Sequence, residues 1–215
     1  YKDVIAIDKG FFKAHNNLGV ALLDLDQFDE AVKSYKAALE LKPDYVEAIN
    51  NLGIAFYKLR QPYDAMEFYE KALVFNPDFA DAYNNMGNAL KDKGDSEAAI
   101  ESYKQALKIK PNYAQAYNNM GNALNNKGDS KAAIQSYKKA LKIKPDYAHA
   151  YNNMGNALQD KSELDAALDS FKQAIKIKPD YADAYWNLHG TSAEIPEAKN
   201  WLKKCLKSDD DENFH

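Results

Sequence analysis

The 215 residues are 46% hydrophobic and 28% charged, with a formal net charge of −4; the chain is long enough for a core of its own, and nothing in its charge points to nucleic acid or an anionic membrane as main partner. No apolar run reaches the roughly 20 residues of a membrane span, no charged-then-apolar leader opens the chain, and no Asn-x-Ser/Thr glycosylation signal occurs. Cys205 is the only cysteine, which rules out an internal disulfide and makes a reducing, cytoplasmic setting the expectation.

A single ruler runs through the sequence. Pro43, Pro77, Pro111, Pro145 and Pro179 are each 34 residues apart, and the same spacing links Gly19, Gly53, Gly87, Gly121 and Gly155. It also links Ala31 to Ala167, Ala38 to Ala174, and the aromatic series Tyr35, Tyr69, Tyr103, Tyr137 and Phe171. A fixed period of this length marks a repeat array.

In chain order, residues 1–11 are expected to form a half repeat. Tyr1, Val4, Ile5 and Ile7 sit 34 residues before Tyr35, Ala38, Leu39 and Leu41, so residues 1–10 read as a second helix without its partner, whose apolar side needs a cover. Full repeats follow at 12–45, 46–79, 80–113, 114–147 and 148–181. Each reads as two helices. In the third, helix A is predicted over 83–93, Gly94 and Asp95 form the turn with Asp95 as N-cap, and helix B covers 96–110. Pro111 stops helix B, and Asn112 is placed to cap the next helix A. The stretches from Asp44 to Glu47 and from Asp78 to Asp81 read as capping boxes. Pro62 falls at a helix start, where its fixed φ is tolerated. The recurring glycine and alanine positions mark where two helices approach closely. A modified terminal repeat spans 182–207: His189 replaces the glycine, while Trp201, Leu202 and Cys205 keep an apolar face, with Cys205 as a buried small side chain. The acidic residues 208–215 are expected to be a disordered tail.

The pattern of an aromatic start, Leu/Met-Gly, then alanine, aromatic, alanine and proline at fixed offsets resembles the tetratricopeptide repeat over nearly the whole chain. The resemblance implies an all-α fold: a right-handed superhelical solenoid of antiparallel helix pairs, with helix A on the concave side.

Tyr-Asn-Asn-Met-Gly-Asn-Ala-Leu occurs identically at 83–90, 117–124 and 151–158. On a helix, Tyr83, Met86, Gly87 and Leu90 follow the i, i+3, i+4, i+7 template of an apolar face. Asn84, Asn85 and Asn88 then gather on the opposite side. Asparagine in a helix interior costs roughly half a kcal/mol against alanine, so its recurrence points to a use beyond local stability. Three rows result. The first is Asn17, Asn51, Asn85, Asn119, Asn153 and Asn187; the second is Asn16, Asn50, Asn84, Asn118 and Asn152; the third is Asn88, Asn122 and Asn156. A carboxamide pairs with a peptide N–H and C=O whatever the guest sequence, which suits an extended strand in a concave groove. The arrangement is similar to the asparagine ladder in the repeat domain of O-linked N-acetylglucosamine transferase. The competing reading is that the amides tie adjacent helices to one another.

Family members that hold a C-terminal carboxylate do so with Lys or Arg, and Asn84, Asn118 and their equivalents are neither. Lysine pairs such as Lys104 and Lys108 read as a solvated outer face. The tyrosines at Tyr83, Tyr103, Tyr113 and their equivalents read as core. His15, His149, His189 and His215 lack a second ligand at helical spacing, and no nucleophile elbow or phosphate loop appears. The reading is therefore a non-enzymatic scaffold without metal or cofactor that binds an extended peptide segment, with Lys13, Glu47, Asp81, Gln115, His149 and Trp186 setting selectivity. Two alternatives stand beside it: the recognition arm of a larger enzyme such as a glycosyltransferase, and a homo-oligomer formed through residues 1–10.

Overall fold

In the computed structural model, residues 11–191 are described, and among them there are eleven α-helices and no strand. They are α1 (Phe12–Asp24), α2 (Phe28–Leu41), α3 (Val46–Lys58), α4 (Pro62–Phe75), α5 (Ala80–Asp92), α6 (Ser96–Ile109), α7 (Ala114–Asn126), α8 (Ser130–Ile143), α9 (Ala148–Asp160), α10 (Leu164–Ile177) and α11 (Ala182–Thr191). The chain divides between Pro111 and Asn112 into two compact bodies. In the first, the hairpins α1/α2, α3/α4 and α5/α6 pack in sequence, and α3 also touches α1 and α5. In the second, α7/α8 and α9/α10 do the same, and α11 closes on α10 and α9. The half repeat at 1–10, the second helix of the terminal repeat with Trp201, Leu202 and Cys205, and the tail at 208–215 lie outside the described residues.

The glycine and alanine series set how closely the helices pack. A Cβ on Gly87 would stand 2.5 Å from Cε1 of Tyr103, and Gly19, Gly53, Gly121 and Gly155 meet Tyr35, Tyr69, Tyr137 and Phe171 in the same way. These five rings are at most 1% exposed. The tyrosine reading holds for Tyr103, whereas Tyr83 and Tyr113 are only half-buried. Ala82 and Ala89 on the other side of α5 are fully buried too, joining Ile49 and Ala72, and Ala65 and Tyr69, of the preceding repeat. Helix A therefore packs on two faces, where the sequence pattern displays one: its alanines are too small to register as an apolar stripe, yet small enough to admit a neighbouring helix.

Helix ends differ from expectation at the A helices. They begin three residues earlier, at Ala80 rather than Tyr83, with Tyr45, Phe79, Tyr113 and Tyr147 at the N-cap and no side-chain cap bond. Neither the two capping boxes nor the Asn112 cap forms. Tight backbone bonds take over, Ala82 N–H to Phe79 O at 3.1 Å and Ala150 N–H to Tyr147 O at 3.0 Å, one of the accepted ways to satisfy a helix start. At the B helices Asp95 and Asp129 do cap, accepting from the N–H of Ala98 and Ala132 at 3.0 Å, and Pro62 opens α4.

The A-to-B turn needs a left-handed residue at one fixed position. Gly94 and Gly128 fill it with φ of 87° and 88°, but Asp26, Arg60 and Ser162 occupy it at 55°, 62° and 60°. A left-handed residue with a side chain costs about 1–2 kcal/mol, and Arg60 has no short polar side chain to soften that cost. Arg60→Gly is expected to raise stability by about 0.5–1 kcal/mol once the added entropy of the unfolded chain is deducted. A higher urea midpoint at constant m-value checks this.

Candidate functional site

The asparagine rows prove unequal. Asn16, Asn50, Asn84, Asn118 and Asn152, the second row, are between 1% and 5% exposed. The first row is half-exposed at Asn51, Asn85, Asn119, Asn153 and Asn187 and open at Asn17. Within each body the two rows bond across neighbouring A helices. Asn51 Nδ2 donates to Asn16 Oδ1 at 3.1 Å, Asn85 to Asn50 at 3.0 Å, Asn153 to Asn118 at 3.1 Å and Asn187 to Asn152 at 3.0 Å. Second-row amides also donate to the first-row residue beside them, Asn16 to Asn17 at 3.3 Å and Asn118 to Asn119 at 3.4 Å. The buried row is thus engaged with its own scaffold, and it holds the half-exposed row in place.

Every one of these cross-helix pairs spans 35 residues, one more than the repeat. The same step recurs at the far end of the helices, where Tyr57 Oη donates to the Asp92 carboxylate and Asn125 Nδ2 to Asp160 at 2.8 Å. Within each body consecutive A helices are offset by one residue, so partners are not the equivalent positions that sequence comparison lines up.

Third-row Asn88 and Asn122 accept from Tyr103 Oη and Tyr137 Oη, each at 2.8 Å. Burial first, and then the nearby charges of Asp92 and Asp160 respectively, holds these two phenols far above the usual tyrosine range, so both remain donors. Phe171 holds the corresponding place for Asn156 and has no hydroxyl to offer.

A half-exposed first-row amide keeps unused capacity. Asn51 and Asn153 each spend one amide hydrogen on the neighbouring helix, which leaves a second hydrogen and the oxygen lone pairs. Four residues before each first-row asparagine stand Lys13, Glu47, Asp81, Gln115 and His149, on the same helix surface at i, i+4. His149 lies against Tyr181, with ring centroids 5.0 Å apart and the planes tilted by 50°. Trp186 is not in this register. It lies 34 residues after Asn152, in the second-row position, and is 75% exposed. Sequence reading missed this division of labour; the offset of 35 is invisible until helices are stacked. Among the described residues no group of three or more His, Cys, Asp or Glu could hold a metal ion, and no helix is long and apolar enough to cross a membrane.

The TPR repeat family model matches residues 21–59, 87–128, 121–162 and 155–191, and two tetratricopeptide repeat models match 46–79 and 68–101. The chain belongs to the tetratricopeptide repeat family. As a TPR protein it is a protein-interaction scaffold, of a repeat type that typically carries no catalytic machinery, and its asparagine pairs are consistent with the ladder of O-linked N-acetylglucosamine transferase. Among solved structures, the crystal structure of MamA protein is 30% identical, with a TM-score of 0.64 over 80% of this chain and 93% of MamA. YrrB, described as a TPR protein with an unusual peptide-binding site, is 23% identical, with a TM-score of 0.61 over 85% of this chain and 94% of its own. A thermophilic TPR protein of Thermus thermophilus, TTC0263, is 23% identical with a TM-score of 0.72 over 84% of this chain and 98% of its own. The last two share the fold alone. No curated protein matches the chain.

Proposed function

We propose that this TPR protein holds an extended peptide segment of a partner protein along its first-row asparagines. The supporting observation is that Asn51, Asn85, Asn153 and Asn187 are half-exposed and hydrogen-bonded through one amide hydrogen each to the neighbouring helix. Their orientation is fixed before a guest arrives, which lowers the entropy lost on binding, while a donor and an acceptor remain for a peptide main chain. In this reading Asn17 belongs to the row of the N-terminal body and Asn119 to that of the C-terminal body, with Asn88 bordering the first and Asn122 and Asn156 the second. The second row, Asn16, Asn50, Asn84, Asn118 and Asn152, acts through the first by anchoring it. Glu47 and Asp81 lie beside Asn51 and Asn85 in the N-terminal body and favour Lys or Arg on the guest there, while Gln115 and His149 carry no fixed charge in the C-terminal body.

Peptides selected from a random display library on the intact chain supply the ligand, and isothermal titration supplies the affinity. Replacing Asn51, Asn85 and Asn153 together by Ala is expected to weaken binding about 100-fold, at about 1 kcal/mol for each lost hydrogen bond. The selected peptides are expected to be enriched in Lys or Arg, and Glu47→Lys is expected to weaken them. Unchanged affinity in the triple variant, at a temperature where it is fully folded, overturns the reading.

A further inference from the structure

The last turns of α5 and α9 carry the same two polar groups, a third-row asparagine and a carboxylate four residues on: Asn88 with Asp92, and Asn156 with Asp160. Their surroundings differ. In the N-terminal body both groups are supplied with donors. Asn88 Oδ1 accepts from Tyr103 Oη at 2.8 Å, and the Asp92 carboxylate accepts from Tyr57 Oη and pairs with Lys91 at 3.2 Å. Two repeats on, Phe171 stands in the place of Tyr103, Asn125 in that of Tyr57 and Gln159 in that of Lys91. Of the three, only Asn125 donates, to Asp160 at 2.8 Å, and its own Oδ1 is buried and accepts nothing. Lys161, next in the chain, is turned to Glu163. Among the described residues no donor is bonded to Asn156 and no cation is paired with Asp160.

This corner of the C-terminal body therefore holds oxygens on Asn125, Asn156 and Asp160 and too few donors for them, a shortage that folded proteins rarely leave without a reason. Asn156 is half-exposed and Asp160 exposed, so both are open to a guest. Asn153, Asn156 and Asp160 follow one another at i, i+3 and i+7, along one surface of α9 over about 10 Å. We propose, resting on the peptide-binding reading above, that Asn156 and Asp160 form a subsite for a Lys or Arg side chain of the guest. A main chain gripped at Asn153 lets a long side chain run down two turns of α9 to the carboxylate. Lys and Arg carry donors and no acceptor, which is what the corner lacks, and Asp160 has no internal cation to displace. The matching corner of the N-terminal body is closed by its own tyrosines and lysine, so this demand for a basic residue belongs to the C-terminal body.

Peptides selected on the intact chain are the probes, together with versions in which one Lys or Arg at a time is replaced by norleucine. Asp160→Asn, which keeps an oxygen for Asn125, is expected to weaken the parent peptide about fivefold in isothermal titration, and to leave one norleucine version unaffected. Phe171→Tyr restores the hydroxyl that the four other repeats carry, and is expected to weaken the parent about threefold by engaging Asn156 Oδ1. Asp92→Asn, at the closed corner, is expected to leave the affinity unchanged. All three variants are expected to keep the wild-type circular dichroism spectrum. Selected peptides without Lys or Arg, an Asp160→Asn loss that is the same for every norleucine version, no loss in either α9-side variant, or an equal loss in Asp92→Asn each overturns the subsite. Where the Asn51, Asn85 and Asn153 triple variant still weakens binding, such a result removes the subsite and leaves the peptide-binding reading standing; unchanged affinity in the triple variant removes both.

Discussion

Gly121→Ala is expected to lower the unfolding free energy by about 1–3 kcal/mol, the range for forcing an added methyl into a filled core. The outcome is not obvious from the sequence, because Ala is about 1 kcal/mol better than Gly inside a helix. Contact distance decides the sign. A Cβ at this position would lie 2.5 Å from Cε1 of Tyr137 and 2.8 Å from its Cδ1 and Cζ. That ring is 1% exposed, and its hydroxyl is committed to Asn122 at 2.8 Å, so it cannot swing clear without breaking a hydrogen bond and shifting α8 from α7. Urea unfolding of Gly121→Ala, of Tyr137→Leu and of the pair checks the cause as well as the size. With the ring gone, the added methyl is expected to be neutral or favourable. A Gly121→Ala protein as stable as wild type would mean that the glycine series is not what sets helix spacing.

Asn85→Ala is expected to cost about 1–2 kcal/mol although Ala is the better helix former by roughly half a kcal/mol. Its amide hydrogen serves Asn50 Oδ1 at 3.0 Å, and Asn50 is 4% exposed. Removing the donor strands a buried acceptor, which carries a desolvation cost of about 1–3 kcal/mol. Asn50→Ala deletes that acceptor, so adding Asn85→Ala to it should cost little more. The cycle is expected to show a coupling of about 1 kcal/mol between residues 35 apart. Additive losses would show that the cross-helix amide bond contributes nothing to stability. A stability cost at Asn85 also means that affinity changes in the asparagine variants must be read well below their melting temperatures.

Much of the architecture is legible in the chain itself. The 34-residue ruler of Pro43 to Pro179, the Gly87 and Tyr103 series and the Gly94-Asp95 turn specify two helices per repeat, their order, and the aromatic ring that each glycine faces. These are local or within-repeat facts, and repetition displays the proline and the glycine–aromatic pairing five times and the Gly-Asp turn twice. Helix starts were less legible: the Asp44 and Asp78 boxes looked sufficient, but packing extends the A helices three residues toward the N-terminus and leaves backbone bonds, such as Ala82 N–H to Phe79 O, to close them.

What the asparagines do was decided between repeats. From sequence alone, Asn84 and Asn85 are adjacent amides on one polar surface, with no sign of which is buried. Stacking with a one-residue offset turns Asn16, Asn50, Asn118 and Asn152 inward as acceptors and leaves Asn51, Asn85, Asn153 and Asn187 at the surface as donors. Trp186, 34 residues after Asn152, stands in line with the second row instead of with Lys13, Glu47 and His149 by the periodicity itself. Periodicity in the chain fixes which residues are equivalent. Only helix against helix fixes which ones meet, because that register is set by how alanine and glycine surfaces of neighbouring repeats fit together.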